Sequence, residues 1–500
     1  MIAGDLLGER ARLSPHKLAL VEVSSGRRFT YAELDRRAAA LAHFWTAACG
    51  LARGDRAAIL SENRVEYVDA FFAAGKTGII LVPLSTRFTA PELAALLQDA
   101  GIAAVFYSQS HAALANCLRE TVQVPRWLAL EDLDFTAPAP FVPVRCQPED
   151  LWCLLYTSGT TGKPKGVMIP HRMVLWNAYN TVASWQLRED DIAPVFTPLY
   201  HAGGLAVFLT PLFVIGGTIV LHGRFDASEV WRWVERERAT LIFAVPTIFR
   251  MLREAPEFES ADLAAVRWCI SGGAPLPRFL IDAYRRRGLV FKQGYGLTEA
   301  GVNCFAMSAD EAARKPGSIG KPMLFAEARV SGPHESELPP GETGELWLRG
   351  PHVARGFWNQ PEATAQAIDS AGWLHTGDLA HRDPEGFYYI DGRLKDMFIS
   401  GGVNVYPAEI ESVLLQHPDL RDAAVLGIPD PSWGEVGVAF LVARPGAGQD
   451  PSAILRFLEG RLARYKLPRA FFYLDVLPRT PYGKVIKPEL YNWYQQRQPT

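Results

Sequence analysis

Residues 156–166 concentrate groups that could handle a polyphosphate. Thr157, Ser158, Thr160 and Thr161 supply four hydroxyls, Gly159, Gly162 and Gly166 three glycines, and Lys163 and Lys165 two ammonium groups. Glycine lets backbone amides come close to a phosphate, and successive N–H groups form an anion-binding concavity. A plain hairpin turn accounts for the glycines but not for the paired lysines. The stretch is not a Walker A loop, which needs four residues between its first glycine and a Gly-Lys pair, then Ser or Thr. Here two residues separate Gly159 from Gly162, and Pro164 follows Lys163. The apolar runs Leu151–Leu155 and Val167–Ile169 predict strands on either side of this loop.

A second candidate group is Gly294, Tyr295, Gly296, Leu297, Thr298 and Glu299, which follows a strand-like run. Ligands of open α/β sheets bind at such strand ends, and a carboxylate oxygen like that of Glu299 is the hard ligand Mg²⁺ prefers. Ser271, Gly272, Gly273, Ala274 and Pro275 likewise follow a strand. His201 has no His or Cys partner at ligand spacing, which argues against a metal role.

The elements that must position these groups alternate along the chain. Thr30/Glu33 and Thr89/Glu92 have capping-box spacing, each opening a run with apolar residues at helical intervals. Ala57–Leu60 and Gly78–Val82 are continuous apolar runs of strand length, the pattern of parallel strands covered on both faces. The alternation resumes after the phosphate-type loop: strands at 218–221, 240–245, 266–271 and 289–292, helices at 226–237, 247–254 and 276–287. Around 320–390 the texture becomes short strands and Gly/Pro turns, a small β-rich subdomain. A new α+β pattern starts after Asp391, with a helix from Pro407 to Gln416 and another through Leu455, Leu458 and Leu462. The expected architecture is therefore α/β: a large N-terminal domain (1–391) of doubly wound α/β subdomains plus a small β-rich subdomain, a short hinge (392–396) and a C-terminal α+β domain (397–500).

Bulk properties narrow the function. Five hundred residues are too many for a single core. With 48 % hydrophobic residues, 21 % charged residues and a net charge of −3, neither a nucleic-acid surface nor an anionic-membrane surface is expected. The cysteines at 49, 117, 146, 153, 269 and 304 form no C-x-x-C pair, which suits reduced, mostly buried thiols. Ile192–His222 contains no Asp, Glu, Lys or Arg, but Pro198, Gly203, Gly204, Pro211, Gly216 and Gly217 break it, so a buried helix between loops is expected, not a membrane span. The first ten residues have no basic region followed by an apolar one, and the last three are not a peroxisomal tripeptide, so a cytoplasmic location is expected.

The loop 156–166 resembles the phosphate loop of the adenylate-forming superfamily, and further stretches resemble that family's other motifs in order. They are Gly294–Glu299, Gly344–Leu346 with Gly356–Asn359, Thr376–Asp378, Gly392–Asp396 and Pro478–Lys484. The resemblance covers nearly the whole chain and is strongest to the acyl-CoA synthetase branch, the AMP-forming carboxylate:CoA ligases. It implies two half-reactions: a carboxylate attacks the α-phosphorus of MgATP to give acyl-AMP and pyrophosphate, then the thiol of coenzyme A displaces AMP. It further implies that Thr157–Lys163 and Lys165 hold the β- and γ-phosphates, and that Gly272, Gly273 and Ala274 border the adenine with Gly294, Tyr295 and Gly296. Thr298 would contact the α-phosphate and Glu299 hold Mg²⁺, with Ser158 and Thr161 as further hydroxyl candidates for the metal. Asp378 would accept the ribose hydroxyls beside Arg393, and Lys484 would bridge the acyl carboxylate and α-phosphate.

Lys395 occupies the family's hinge position, about which a mobile C-terminal domain would turn. Ser400, Gly401, Gly402, Trp433, Tyr465 and Lys466 would receive coenzyme A, with Trp433 and Tyr465 flanking its adenine. Their polar sequence contexts suit exposed aromatics that stack. His201 would close the acyl site, whose walls would draw on Trp176, Asn177, Phe243, Gly272, Gly301 and Val302. No lone cation faces a second carboxylate, so an apolar monocarboxylate, medium-chain or aromatic, is the expected acid. Transfer to a carrier-protein phosphopantetheine is the alternative, and a homodimer stays open.

Overall fold

The computed structural model describes residues 4–135, 141–157, 164–274, 276–332, 335–480 and 485–497. By compactness the chain divides into two units: Met1–Gly273 with Tyr284–Ala328 and Leu348–His375, and Ala274–Ala283 with Arg329–Trp347 and Thr376–Thr500.

In the first unit a six-stranded sheet runs Arg126–Ala129, Ala104–Tyr107, Arg56–Leu60, Ile80–Pro83, Leu151–Thr157, Lys165–Pro170. Its strands are parallel except the last, which pairs antiparallel with its neighbour. Arg56–Leu60 and Ile80–Pro83 are almost wholly buried along their length, as strands covered on both faces must be. The covering helices start where the sequence indicates. Thr30 and Glu33 form a complete capping box at Tyr31–His43, and Thr89 and Glu92 form another at Ala90–Ala100. A four-stranded sheet (Arg28–Thr30, Leu18–Glu22, Thr218–Leu221, Ile192–Val195) and a three-stranded parallel sheet (Leu241–Ala244, Trp268–Ser271, Phe291–Gln293) complete the α/β layers.

The charge-free stretch 192–222 becomes strand Ile192–Val195, helical segments from Ala202 to Ile215 with a wide turn at Leu205–Leu209, and strand Thr218–Leu221. Among the described residues no helix is long and apolar enough to cross a membrane. Two elements differ in extent from expectation. Gly78 does not open a strand but ends helix Val65–Thr77 at φ 71°, a left-handed conformation that glycine adopts without strain. The helix expected through Leu462 ends at Leu458, where Glu459 turns to ψ 134°, although Leu462 still packs on the same core.

In the second unit, strands Leu374–Arg382 and Tyr388–Arg393 pair antiparallel at the edge of a four-stranded sheet. A five-stranded sheet follows, built on the long hairpin Leu420–Asp430/Gly434–Ala443. Alternate residues of Gly434–Ala443 feed two cores, as period-two geometry requires. Ala439 and Leu441 join Ile410, Leu414 and Leu458, whereas Val438 and Phe440 join Leu477 and Leu490.

Four imidazoles make this fold sensitive to acid. Burial lowers His171, His201, His222 and His352 from the usual 6.5 to about 4. Between those two values the unfolded chain binds protons that the folded chain does not, so stability is present above pH ~6.5 and is lost as pH falls towards 4. The loss is up to about 1.4 kcal/mol per pH unit for each histidine. Melting temperature is expected to drop steeply across that window. A Tm that stays flat from pH 7 to 4.5 would contradict this burial.

Candidate active site

The ends of the phosphate-type loop are held side by side. Thr157 pairs with Lys165 and Tyr156 with Gly166 across two antiparallel strands. Ser158, Gly159, Thr160, Thr161, Gly162 and Lys163 lie outside the described residues. The loop's base is braced: the Tyr156 hydroxyl donates to Asp99 at 2.6 Å, and the Trp358 N–H donates to the Gly166 carbonyl at 2.8 Å. A Cβ at Gly166 would lie 3.0 Å from the Tyr156 ring. The Lys165 ammonium sits 5.0 Å from the Phe357 ring centroid. Gly356–Asn359 is thus a buttress: the Gly356 carbonyl accepts from Met168 N–H at 2.9 Å.

Gly294–Asn303 leaves strand Phe291–Gln293 and folds back on itself. The Gly294 N–H donates to Ser271 O at 2.7 Å, Val302 N–H to Leu297 O at 3.2 Å, and Cys304 N–H to Tyr295 O at 3.1 Å. Thr298 and Glu299 start a short 3₁₀ turn between these ties, closed by Gly301 at φ 79°. Val302 follows at φ 66°, a costly conformation for a β-branched residue that concentrates at functional sites. A Cβ at Gly296 would overlap the Val302 carbonyl and lie 2.6 Å from its Cα. Tyr295 meets Phe305 edge-on at 5.7 Å.

Gly272 and Gly273 leave the neighbouring strand, Gly273 at φ 81°, and Ala274 follows them. Phe243 lies between two glycines: a Cβ at Gly203 or at Gly272 would lie 3.5 Å from its ring. His201 stands next to it, its Nδ1 accepting the Gly203 N–H at 3.1 Å. With its pKa pushed down by burial to about 4, the imidazole is neutral at working pH. Because Nδ1 accepts, its proton sits on Nε2. His201, Phe243 and Gly272 therefore share one place.

Asn177 and Gly301 meet one helix away, and together with Thr298 they line a cavity whose other walls include Met173, Val174, Leu205, Ala206 and Thr210. Trp176, His201, Phe243, Gly272 and Val302 do not line it. Trp176 is half-buried and packs edge-on against Phe325 at 5.0 Å. Leu205, Ala206 and Thr210 were missed in the sequence, where they read as the interior of an apolar helix. Their spacing from His201 was the available signal.

Among the described residues no three His, Cys, Asp or Glu gather as a metal cluster. The donor set still fits Mg²⁺, which is held by one or two carboxylates together with substrate phosphates and water. Glu299 is partly exposed beside Thr298, a carboxylate of the kind such a site uses.

In the second unit the register places Asp378 opposite Arg393, and their side chains pair at 2.7 Å. Asp378 is buried, and its turn is held by neighbours: Gly377 N–H donates to Glu345 at 2.9 Å and the Thr376 hydroxyl to Leu346 O at 2.6 Å. Glu345 and Leu346 thus support the Asp378 turn. Lys395 is exposed on the 3₁₀ turn Leu394–Asp396.

Ser400 is buried, while Gly401 (φ 59°) and Gly402 (φ 82°) turn under the ring of Trp433. The Gly401 N–H donates to Trp433 O at 2.8 Å, and a Cβ there would lie 2.7 Å from the indole. Trp433 is 41 % exposed. Tyr465 differs from expectation: it is half-buried and packs on the core of Ile410 and Leu458. The sequence around it is polar, but the strand and helix beneath are not. Lys466 pairs with Glu409 at 2.7 Å. Lys484 lies outside the described residues. The stem of its loop is closed by Ile486 N–H donating to Pro478 O at 2.9 Å and by Arg479 paired with Asp422 at 2.6 Å.

Residues 7–358 match the family model of the AMP-binding enzymes, and residues 409–484 match the model of the AMP-binding enzyme C-terminal domain. The chain belongs to the AMP-binding enzyme family. It is 42 % identical to a feruloyl-CoA synthase of an Amycolatopsis species, over 96 % of both chains. To the long-chain-fatty-acid–CoA ligase FadD13 of Mycobacterium tuberculosis it is 37 % identical over 99 % of both. Among solved structures, the o-succinylbenzoate coenzyme A synthetase of Bacillus subtilis in complex with ATP and magnesium ion superimposes with a TM-score of 0.88 at 33 % identity, covering 98 % of this chain and all of that one. This AMP-binding enzyme is an ATP-dependent carboxylate:CoA ligase, with ATP and coenzyme A as substrates.

Proposed function

We propose that the acid is aromatic, with its ring received beside Phe243. The observation that carries this reading is the position of Phe243 between Gly203 and Gly272, with neutral His201 alongside. The two glycines bring no side chain against the ring, and ring–ring contact is favourable. The relative named feruloyl-CoA synthase supports the same class. Pyrophosphate release measured with a panel of aromatic and straight-chain acids tests it, with higher kcat/KM for aromatic acids expected. A preference for straight chains would overturn it.

In the first half-reaction the acid's carboxylate oxygen bonds to the α-phosphorus while the bond to pyrophosphate breaks. Thr157–Lys163 and Lys165 draw charge towards the leaving pyrophosphate, and Gly294–Gly296 border the adenine with Gly272, Gly273 and Ala274. Thr298 orients the α-phosphate. Glu299 would hold Mg²⁺, which would supply positive charge to the phosphate oxygens. Asp378 accepts the ribose hydroxyls, positioned by its pairing with Arg393. Lys484 places its ammonium between the attacking carboxylate and the α-phosphate, where preorganised charge counts most. In the second half-reaction the CoA sulfur bonds to the acyl carbon as AMP leaves. The domain limits 1–391 and 397–500, with a turn at Lys395 in 392–396, suit an enzyme that uses two arrangements for two chemistries. His201 stays uncharged throughout and closes the acyl site.

Coenzyme A is received by Ser400–Gly402, Trp433, Tyr465 and Lys466, with Trp433 stacking on its adenine. Trp433→Ala is expected to raise the KM for CoA roughly 5- to 150-fold, the equivalent of about 1–3 kcal/mol of base stacking, while leaving the KM values for ATP and acid alone. Pantetheine, which lacks adenine, should be used equally well by both forms. An unchanged KM for CoA with a lowered Tm would show that the indole only covers Gly401.

A further inference from the structure

A second cavity opens at the other end of the three-stranded sheet that carries Gly272 and Gly294. Those glycines follow the C-terminal ends of strands Trp268–Ser271 and Phe291–Gln293, whereas Arg267 and Trp268 stand at the start of theirs. With Lys292, Ser184, Trp185 and Met307 they line about 360 Å³ of space, within the roughly 300–1,000 Å³ range of small-molecule sites. Trp185, Trp268 and Met307 are buried, which makes one wall apolar.

Lys292 brings a positive charge into this cavity with no ion-pair partner. It is 7 % exposed, and its ammonium stands 4.5 Å from the centroid of the Trp268 ring. Among the described residues it makes no hydrogen bond and no salt bridge. The charges around it are engaged elsewhere. Arg267 pairs with both carboxylate oxygens of Asp191 at 2.6 and 2.7 Å and donates to Gln186 O at 3.0 Å. Glu311 accepts the Ser308 N–H at 2.7 Å in the capping box of helix Ala309–Arg314. Burial, with Arg267 beside it, pushes the Lys292 amine down to about 8 against the pull of Glu311. A buried ammonium without a partner is costly, and ionisable groups perturbed in this way cluster at functional sites.

We propose that this cavity binds a small carboxylate with an apolar body, its acid group paired with Lys292 and its body against Met307 and Trp185. One anionic group balances Lys292, and the Glu311 carboxylate on the same cavity opposes a second negative charge, which disfavours phosphate. The Ser184 hydroxyl accepts the Leu324 N–H at 3.1 Å and keeps its own proton to donate to the ligand. The glycine loops of the active site leave the opposite strand ends, so this ligand is not the acid being activated.

Acetylation of the wild-type protein by acetic anhydride at pH ~8, read lysine by lysine by peptide mass spectrometry, tests the site. Lys292 is about half deprotonated there, whereas an ordinary lysine, with a pKa of about 10.4, stays charged. Benzoate at about ten times its Kd is expected to slow Lys292 acetylation about 10-fold and to leave exposed Lys395 unchanged. Benzyl alcohol, which keeps the ring and lacks the charge, should protect neither lysine, and nor should inorganic phosphate. Benzoate bound at equilibrium dialysis should fall by one equivalent in Lys292→Met. That substitution removes an unpaired buried charge, so it is expected to keep or raise the Tm. No protection by benzoate overturns the site. Equal protection by benzyl alcohol or by phosphate overturns a carboxylate site. Benzoate binding undiminished in Lys292→Met places the protecting ligand elsewhere and overturns it too.

Discussion

Replacing Gly296 with alanine is expected to slow acyl-AMP formation by about 10²-fold or more. The new Cβ would overlap the Val302 carbonyl and come within 2.6 Å of its Cα. Neither partner is a flexible side chain, so backbone must move. Tyr295, Thr298 and Glu299 all lie on the strip tied down by the Val302–Leu297 and Cys304–Tyr295 hydrogen bonds. A displacement of about 1 Å in groups that orient reacting atoms costs on the order of 10² in rate. Acid-dependent ATP–pyrophosphate exchange measures the effect. Gly448→Ala is the control, since a Cβ there meets nothing within 4 Å. Exchange at the wild-type rate in Gly296→Ala would mean this loop does not position the nucleotide.

Lys484→Ala should be as severe and more selective. Acyl-AMP formation is expected to fall about 10²–10³-fold, roughly 3–4 kcal/mol, the loss typical of one preorganised contact to developing charge. Thioester formation from supplied acyl-AMP should persist, because that step no longer joins two anions. The ties that flank the loop, Ile486–Pro478 and Arg479–Asp422, do not involve the lysine. Equal loss in both half-reactions would remove Lys484 from the special role in adenylation.

Much of this was legible in the sequence because the signals are local. Capping boxes at Thr30 and Thr89, and apolar runs of strand length around 151–169, depend on neighbours a few residues away. Less legible were relations set by register and tertiary contact. The pairing of Asp378 with Arg393 needs the strand register, and the support of Gly377 by Glu345 joins residues 32 positions apart. Tyr465 looked exposed because its flanks are polar, yet the core under it is not. Thr210 read as one more residue in an apolar helix. Its missing hydrogen-bond partner shows only when its surroundings are assembled.

One chain both adenylates an acid and passes it to free coenzyme A. Purified protein given MgATP, an aromatic acid and CoA should produce acyl-CoA, AMP and pyrophosphate in equal amounts, followed by mass spectrometry of the CoA pool. Without CoA, pyrophosphate release should stop near one equivalent of enzyme-bound acyl-AMP. Acid-dependent pyrophosphate release with no acyl-CoA formed, and the acyl group appearing only when a phosphopantetheine carrier protein is added, would contradict it.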